Sequence, residues 1–298
     1  MISEVSTFAT EHGVPDKVLI GLIGADIQRS KSPYLHEQEA AALGFKLHYQ
    51  LIDLSRIGKG VEALPELLAA AEACGFAGVN ITHPCKQAVI PYLDELSEDA
   101  RQIGAVNTVV FRDGKRYGHN TDWSGFAEPF RRHFADDDLR RVVLLGGGGA
   151  GSAVAHALLV AGTQELVIVD QDARRAATLA ARLHGYFPDR QVTGSDDISQ
   201  AMLGASGLVH ATPTGMDGHP GLPLPEALLH GELWVAEVVY FPLETELLRL
   251  ARQRGCRVLD GGGMAVWQAI GAFQLFTGRQ PDTARMERHF RSMIAAQA

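Results

Sequence analysis

RVVLLGGGGAGSAVAHALLVAG, residues 141–162, is the stretch on which the fold turns. A run of valine and leucine ends in glycines and passes at once into an alanine-rich segment with apolar residues at helical spacing. The pattern predicts a strand, a tight turn and a helix in immediate succession. Gly146, Gly148 and Gly151 satisfy G-x-G-x-x-G. Glycine admits positive φ in such a turn and, lacking Cβ, lets the backbone approach a pyrophosphate. The phosphate then rests on a helix N-terminus, where unpaired N–H groups and the dipole favour an anion. The next apolar run, ELVIVD (165–170), ends in Asp170, 24 positions beyond Gly146. An acid there hydrogen-bonds an adenosine ribose hydroxyl and repels a 2′-phosphate. The spacing therefore points to NAD, with NADP second. Arg174 and Arg175 follow closely enough to meet a 2′-phosphate, and are read as solvated helix residues.

Outward from this unit, short apolar runs recur at 17–24, 47–54, 75–82, 105–111, 207–212, 233–239 and 257–261. Helix-like stretches separate most of them, SPYLHEQEAAALG (32–44) and DARRAATLAARL (172–183) being the clearest. Strands alternating with helices mean βαβ units and mainly parallel sheets. The expected class is α/β with two domains: an N-terminal α/β substrate domain and a Rossmann-type dinucleotide-binding domain with a mainly parallel sheet. The second begins near Asp122 and runs over 122–262. The apolar helix at 263–278 and the amphipathic segment after Pro281 return to the first, which comprises 1–121 plus 263–298.

Composition narrows the function. A chain of 298 residues with 46% hydrophobic side chains buries a sizeable core. Its 27 Lys and Arg against 35 Asp and Glu give a net charge of −8, no electrostatic footprint for nucleic acid. Cys74, Cys85 and Cys256 are too few and too irregular for a disulfide framework or a zinc site. MISEVSTFATEHGVPDK has no signal-peptide pattern, and no run approaches a membrane span. The reading is a cytoplasmic protein with a small-molecule substrate, monomer or homodimer, with no metal, membrane or nucleic-acid partner.

Polar residues gather where the apolar runs of the first half end, the place where open α/β sheets bind ligands. Ser30 and Ser32 follow the first run and open a helix, where they either cap it or offer hydroxyls to an anion. Asn80, Thr82 and Lys86 follow the third, Asn80 and Thr82 on one side of an extended segment. Asn107 lies on the fourth strand, and Asn120, Thr121 and Asp122 stand where the first half ends.

These segments resemble the shikimate/quinate dehydrogenase family. SKSPYLH looks like its Ser-x-Ser-Pro motif and GVNITHPCK like its Asn-x-Thr-x-Pro-x-Lys motif. GAVNT, HNTDWSGF, GGGGAG, ATPTGM, VVYFPLETELL and DGGGMAVWQAIGAF follow in the family's order, over roughly residues 17–278. The resemblance implies a two-domain enzyme that interconverts the C3 hydroxyl of shikimate, or the equivalent hydroxyl of quinate, with a ketone by nicotinamide hydride transfer. It implies Lys86 and Asp122 as the catalytic pair. It implies Ser30, Ser32, Asn80, Thr82, Asn107, Tyr240 and Gln268 around the substrate's carboxylate and hydroxyls. Gly146, Gly147, Gly148, Gly149, Ala150, Asp170, Val238 and Gly261 would meet the cofactor.

Oxidising an alcohol removes a hydride and a proton, so a proton acceptor must stand beside the reacting oxygen. Lys86 and Asp122 suit that relay, and the sequence leaves open which holds the proton. Two departures from the family stand out. Asp170-Gln171 replaces the Asn-Arg usual in NADP-dependent members, and His210 replaces an Asn ahead of Thr-Pro-x-Gly-Met. His210 is read as a strand-end residue with a backbone partner, and His36 and Glu37 as exposed helix residues. Trp123, Trp234, Trp267, Met264 and Phe273 are read as packing. Two other functions remain open: a dehydrogenase of a neighbouring substrate such as aminoshikimate, and a non-catalytic nucleotide or metabolite sensor on the same scaffold.

Overall fold

The computed structural model of the chain describes residues 17–295; residues 1–16, which hold nearly all of the stretch read as no signal peptide, and 296–298 lie outside them. Among the described residues, twelve strands form two six-stranded sheets. The first holds β1 (Lys17–Gly24), β2 (Lys46–Asp53), β3 (Gly78–Ile81), β4 (Glu95–Leu96), β5 (Thr108–Arg112) and β6 (Lys115–His119). The second holds β7 (Arg141–Leu145), β8 (Glu165–Val169), β9 (Gln191–Ser195), β10 (Gly207–His210), β11 (Trp234–Glu237) and β12 (Arg257–Leu259).

The second sheet runs β12-β11-β10-β7-β8-β9 with every pair parallel. Strand order reverses between β7 and β10, which opens a crevice at their carboxyl ends. The alternation of side chains explains the unbroken apolar runs. Val142 and Leu144 face Phe126, Phe130 and Leu158, while Val143 and Leu145 face Leu208, Leu233 and Leu248 on the other side.

The first sheet runs β2-β1-β3-β5-β6-β4. β1 pairs parallel with β2 and β3, as expected, but β5 runs antiparallel to β3 and β6 antiparallel to β5. The hairpin between them turns on Asp113 and Gly114, with φ of 52° and 71°. Asp-Gly between two short runs is a strong hairpin signal, because both central residues of such a turn need positive φ. This reversal matters for the site. The start of β5 and the end of β6 arrive at the edge where β1 and β3 end, so Asn107 and Asp122 meet the loops carrying Ser30 and Lys86.

Two helices join the halves. Asp122–His133 buries Phe126 and Phe130 against the second sheet. Gly262–Thr277 lies beside it, where a Cβ on Gly125 would stand 2.8 Å from the Gln268 backbone nitrogen. Its far end places Ala272, Phe273 and Phe276 against Val18, Ile20 and Val110 of the first sheet. Helix Thr283–Ala295 packs Met286 and Phe290 on Val266 and Ile270. No helix among the described residues is long and apolar enough to cross a membrane.

Candidate active site

At the carboxyl edge of the first sheet, Asp53 ends β2 and organises the loop after β1. Its buried carboxylate accepts the N–H groups of Asp26 and Ile27 at 3.1 and 3.2 Å and the Gln28 amide at 2.9 Å. Burial pushes its pKa up, but the hydrogen bonds from Gln28, Asp26, Ser55 and Ile27 outweigh it and hold the group below the usual carboxylate range. The loop delivers Ser30 and Ser32 half-buried to helix Ser32–Ala42. The N-cap there is Lys31, with no side-chain cap. The Ser32 hydroxyl bonds the Tyr49 phenol, and the Ser30 Oγ accepts the Ser32 N–H at 3.3 Å. Ser30 thus serves the first N–H of the helix, and capping does not account for Ser32.

Behind them lies a buried polar network. The Tyr49 hydroxyl donates to Asn80 Oδ1 at 2.8 Å, and Asn80 Nδ2 donates to Thr108 Oγ1 at 3.0 Å. Thr108 donates to Asn107 Oδ1 at 3.0 Å, and Asn107 Nδ2 donates to Thr121 Oγ1 and Asp122 Oδ1, both at 2.9 Å. Asn107 stands one residue ahead of β5 rather than on it. The Nδ2 donors of Asn80 and Asn107 are thus fully engaged with protein partners and donate to a ligand only by exchanging one. Tyr49, which no motif marks, ties the serine loop to Asn80; burial raises its phenol pKa strongly. Its only sequence signal is its place in β2, opposite Ile20 of β1.

The network ends at Lys86, whose Nζ lies 2.5 Å from Asp122 Oδ2, with the two side chains 16% and 8% exposed. The lysine sits in the one-turn helix Cys85–Ala88, and its carbonyl accepts the Val106 N–H at 2.8 Å. Asp122 opens helix Asp122–His133, its N–H donating to Asn120 Oδ1 at 3.0 Å. The lysine stem also lies against the second half: a Cβ on Gly149 would stand 3.0 Å from Lys86 Cδ. The stem thus meets the glycine-rich turn, while the amine is held by Asp122 and largely withdrawn from bulk water. Thr82 stays half-buried beside β1, its Cγ2 2.3 Å from where a Cβ on Gly24 would stand.

The turn itself needs glycine at two points. Gly146 has φ of 101°, and a Cβ on Gly151 would lie 1.9 Å from the Gly146 carbonyl oxygen. Helix Gly149–Ala161 starts from Gly148 with no side-chain cap and no acid in its first turn. The N–H groups around Gly149 and Ala150 are therefore left for an anion, which fits a dinucleotide pyrophosphate. Asp170 follows β8 and accepts the Gly147 N–H at 2.8 Å and the Asp172 N–H at 2.9 Å. Arg175 is not simply solvated, since its Nη1 lies 3.1 Å from Asp170 Oδ1. Gly147, Ser152, Arg174, Arg175 and Arg182 border a cleft of about 300 Å³, with Gln87 from the first half across it.

The other expected residues are more dispersed. Gln268 is half-buried, and its Nε2 donates to Ala265 O at 2.9 Å. Tyr240 is exposed beside Phe290. Gly261 lies under the end of β11, where its Cβ would meet the Val238 and Val239 carbonyl oxygens at 2.4 Å. Three readings change. His36 is buried against Tyr49 and Phe273, because its helix face meets β2 and helix Gly262–Thr277. Glu37 is half-buried and accepts the Tyr49 N–H at 2.9 Å. His210 pairs with the Glu237 carboxylate, a partner unmarked in the sequence, 2.9 Å from its Nδ1. Trp234, Met264 and Phe273 are buried, as expected of packing residues.

Comparison with known proteins adds to this geometry. A family profile described as the shikimate dehydrogenase substrate binding domain matches residues 22–109, and one described as the shikimate 5'-dehydrogenase C-terminal domain matches 261–289. A shikimate dehydrogenase (NADP(+)) of Streptomyces avermitilis is 57% identical over 273 residues, 91% of this chain and 94% of that one. A quinate/shikimate dehydrogenase (NAD(+)) of Corynebacterium efficiens is 46% identical over 281 residues, 93% of this chain and 99% of that one. Among solved structures, the quinate dehydrogenase of Corynebacterium glutamicum in complex with NAD superposes with a TM-score of 0.86. It is 45% identical, and the match covers 93% of this chain and 99% of that one.

Proposed function

This chain belongs to the shikimate/quinate dehydrogenase family, nicotinamide-dependent oxidoreductases acting on a CH–OH group, and from that premise we propose which residues do the work and with which cofactor. Lys86 and Asp122 form the proton relay. A bound nicotinamide supplies the hydride acceptor in one direction and the donor in the other. Lys86 Nζ gives a proton to the carbonyl oxygen as the ketone is reduced and takes it back as the alcohol is oxidised. Asp122 holds the amine in place and shares the hydroxyl's hydrogen bonding.

Ser30 and Ser32 stand at a helix N-terminus whose N-cap residue, Lys31, offers no side-chain cap, which suits the acid's carboxylate. Thr82, Gln268, Tyr240 and the amides of Asn80 and Asn107 surround its hydroxyls. A site of paired polar groups rejects analogues lacking a hydroxyl, because its own groups are left unpaired. Gly146 to Ala150, Val238 and Gly261 form the cofactor's bed. NAD is the preferred cofactor, because Asp170 sets a carboxylate where a 2′-phosphate would lie. Arg175, paired with that carboxylate, reduces the repulsion without removing it. The chain divides into a catalytic domain, 1–121 plus 263–298, and a dinucleotide domain, 122–262. With free cysteines at 74, 85 and 256, its place of work is the cytoplasm.

The observation that carries this reading is the Lys86–Asp122 contact lying against Gly149. The test is the absorbance of reduced nicotinamide when the purified protein meets shikimate or quinate with NAD+ or NADP+. Turnover fastest with NAD+ is expected. No turnover in any of the four pairings defeats the reading, and faster turnover with NADP+ defeats the cofactor choice.

A further inference from the structure

His210 ends β10 and Glu237 ends β11, and both side chains have 0% exposure. A carboxylate so deep is costly unless every lone pair finds a donor. Glu237 Oε1 accepts from the N–H groups of Val238 and Val239 at 2.9 and 3.0 Å, and Oε2 from Thr245 Oγ1 at 3.1 Å. Both oxygens face His210 Nδ1, at 2.9 and 3.0 Å, so that nitrogen carries the hydrogen. The other ring nitrogen, Nε2, meets Thr212 Oγ1 at 2.5 Å, and Thr212 Oγ1 also accepts the Thr214 N–H at 3.3 Å. Thr245 in turn caps helix Glu246–Gln253 by accepting the Leu248 N–H.

The couple therefore ties the 212–214 turn to the end of β11 and to the following helix. The 212–214 turn lies against the glycine-rich turn, and the end of β11 lies against Gly261. A Cβ on Gly146 would stand 2.8 Å from Ala211 O and 3.0 Å from Thr212 Cγ2. Val238, on the other side, lies over Gly261. Apolar side chains of similar volume would fill the space between β10 and β11 without a desolvation penalty.

We infer that His210 and Glu237 are positioning residues for the dinucleotide, setting the spacing between the 212–214 turn and the Val238–Val239 strand end across the mouth of the crevice. The inference rests on the reading that this edge of the second sheet binds the cofactor. It predicts a selective defect: loss of the tie weakens the dinucleotide and leaves the acid alone, because the acid's residues belong to the first sheet.

Two variants test it. Thr212→Val cuts the link from Nε2 to the turn, together with the hydroxyl's own bonds to Thr214, and leaves the buried pair intact. The double variant His210→Asn, Glu237→Gln removes the carboxylate with its partner, so no unpaired charge remains to unfold the chain. Dissociation constants for NAD+ and NADP+ are measured by titration calorimetry, and KM for cofactor and for acid from initial rates. Both variants are expected to bind the preferred dinucleotide on the order of tenfold more weakly, about the loss of one buried hydrogen bond. The acid's KM is expected to stay within about twofold, an effect too small to register as a lost contact. Unchanged dinucleotide affinity in both variants overturns the inference, as does an acid KM that rises in step with it. If the unmodified protein binds neither dinucleotide, the underlying reading of the crevice fails, and the inference with it.

Discussion

The two sheets place their ligand-binding elements at the same kind of edge but build them from different material. At the first, side chains line the edge: Lys86, Asp122, Asn107, Asn80 and Tyr49 belong to one hydrogen-bonded chain that runs through Thr108. At the second, bare backbone does it, around Gly146 and Gly151. A wall of distinct functional groups selects one arrangement of hydroxyls. A wall of N–H groups accepts any pyrophosphate, and leaves selection to Asp170 at its margin. On the proposed function, chemistry and substrate choice belong to the first edge, tethering and cofactor choice to the second.

Perturbing each edge should therefore produce separable defects. The largest is expected from Lys86→Ala. It lowers kcat on the order of 10²- to 10⁴-fold by removing the proton carrier, while dinucleotide affinity measured by titration stays at the wild-type value. A comparable loss of dinucleotide affinity would erase the division. Gly151→Ala attacks the other edge, since the new methyl would fall 1.9 Å from the Gly146 carbonyl oxygen. A displaced turn costs about 10²-fold in kcat/KM for the cofactor, with acid binding, followed by calorimetry, unaffected.

Asp170→Asn is a finer probe. Removing the charge shifts the ratio of kcat/KM for NAD+ over NADP+ toward NADP+ by on the order of tenfold. An unchanged ratio would mean that Arg175 already neutralises the site. The smallest step concerns pH. Burial lowers the His36 pKa from 6.5 to about 3, so the native imidazole stays neutral where the unfolded one takes a proton. Its contribution is fully present above pH 6.5 and is lost as pH falls toward 3, at about 1.4 kcal/mol per pH unit. His36→Leu should flatten the acid limb of urea-denaturation stability against pH, and an unaltered limb would place the sensitivity elsewhere.

Legibility followed burial. β1, β7, β8 and β11 were readable because strands covered on both faces spell unbroken apolar runs. β6 and β9 were not, because KRYGH and QVTGS are only partly covered and carry no such run. The antiparallel turn at the first sheet went unseen with β6, although Asp113-Gly114 announced it. Within the site, residues inside motifs were legible one by one: Lys86 and Asp122 are where their segments implied. Tyr49 and Glu237 were not, since each acquires its partner only through the register of neighbouring strands. His210 was noticed as a departure but given too modest a partner, because a lone strand-end histidine says nothing of a carboxylate on the next strand.

The hairpin at Asp113 and Gly114 acts as a length gauge for chemistry at the opposite end of the sheet. Arg112 faces Lys115 beside the turn, and Thr108 faces His119 at the far end, three residues short of Asp122. One inserted residue would slip β6 by a step along β5, invert which of its side chains face the core, and draw the carboxylate roughly 3.4 Å from its amine. A surface turn at the opposite end of the sheet thus sets the separation of Lys86 and Asp122, and should tolerate substitution far better than insertion.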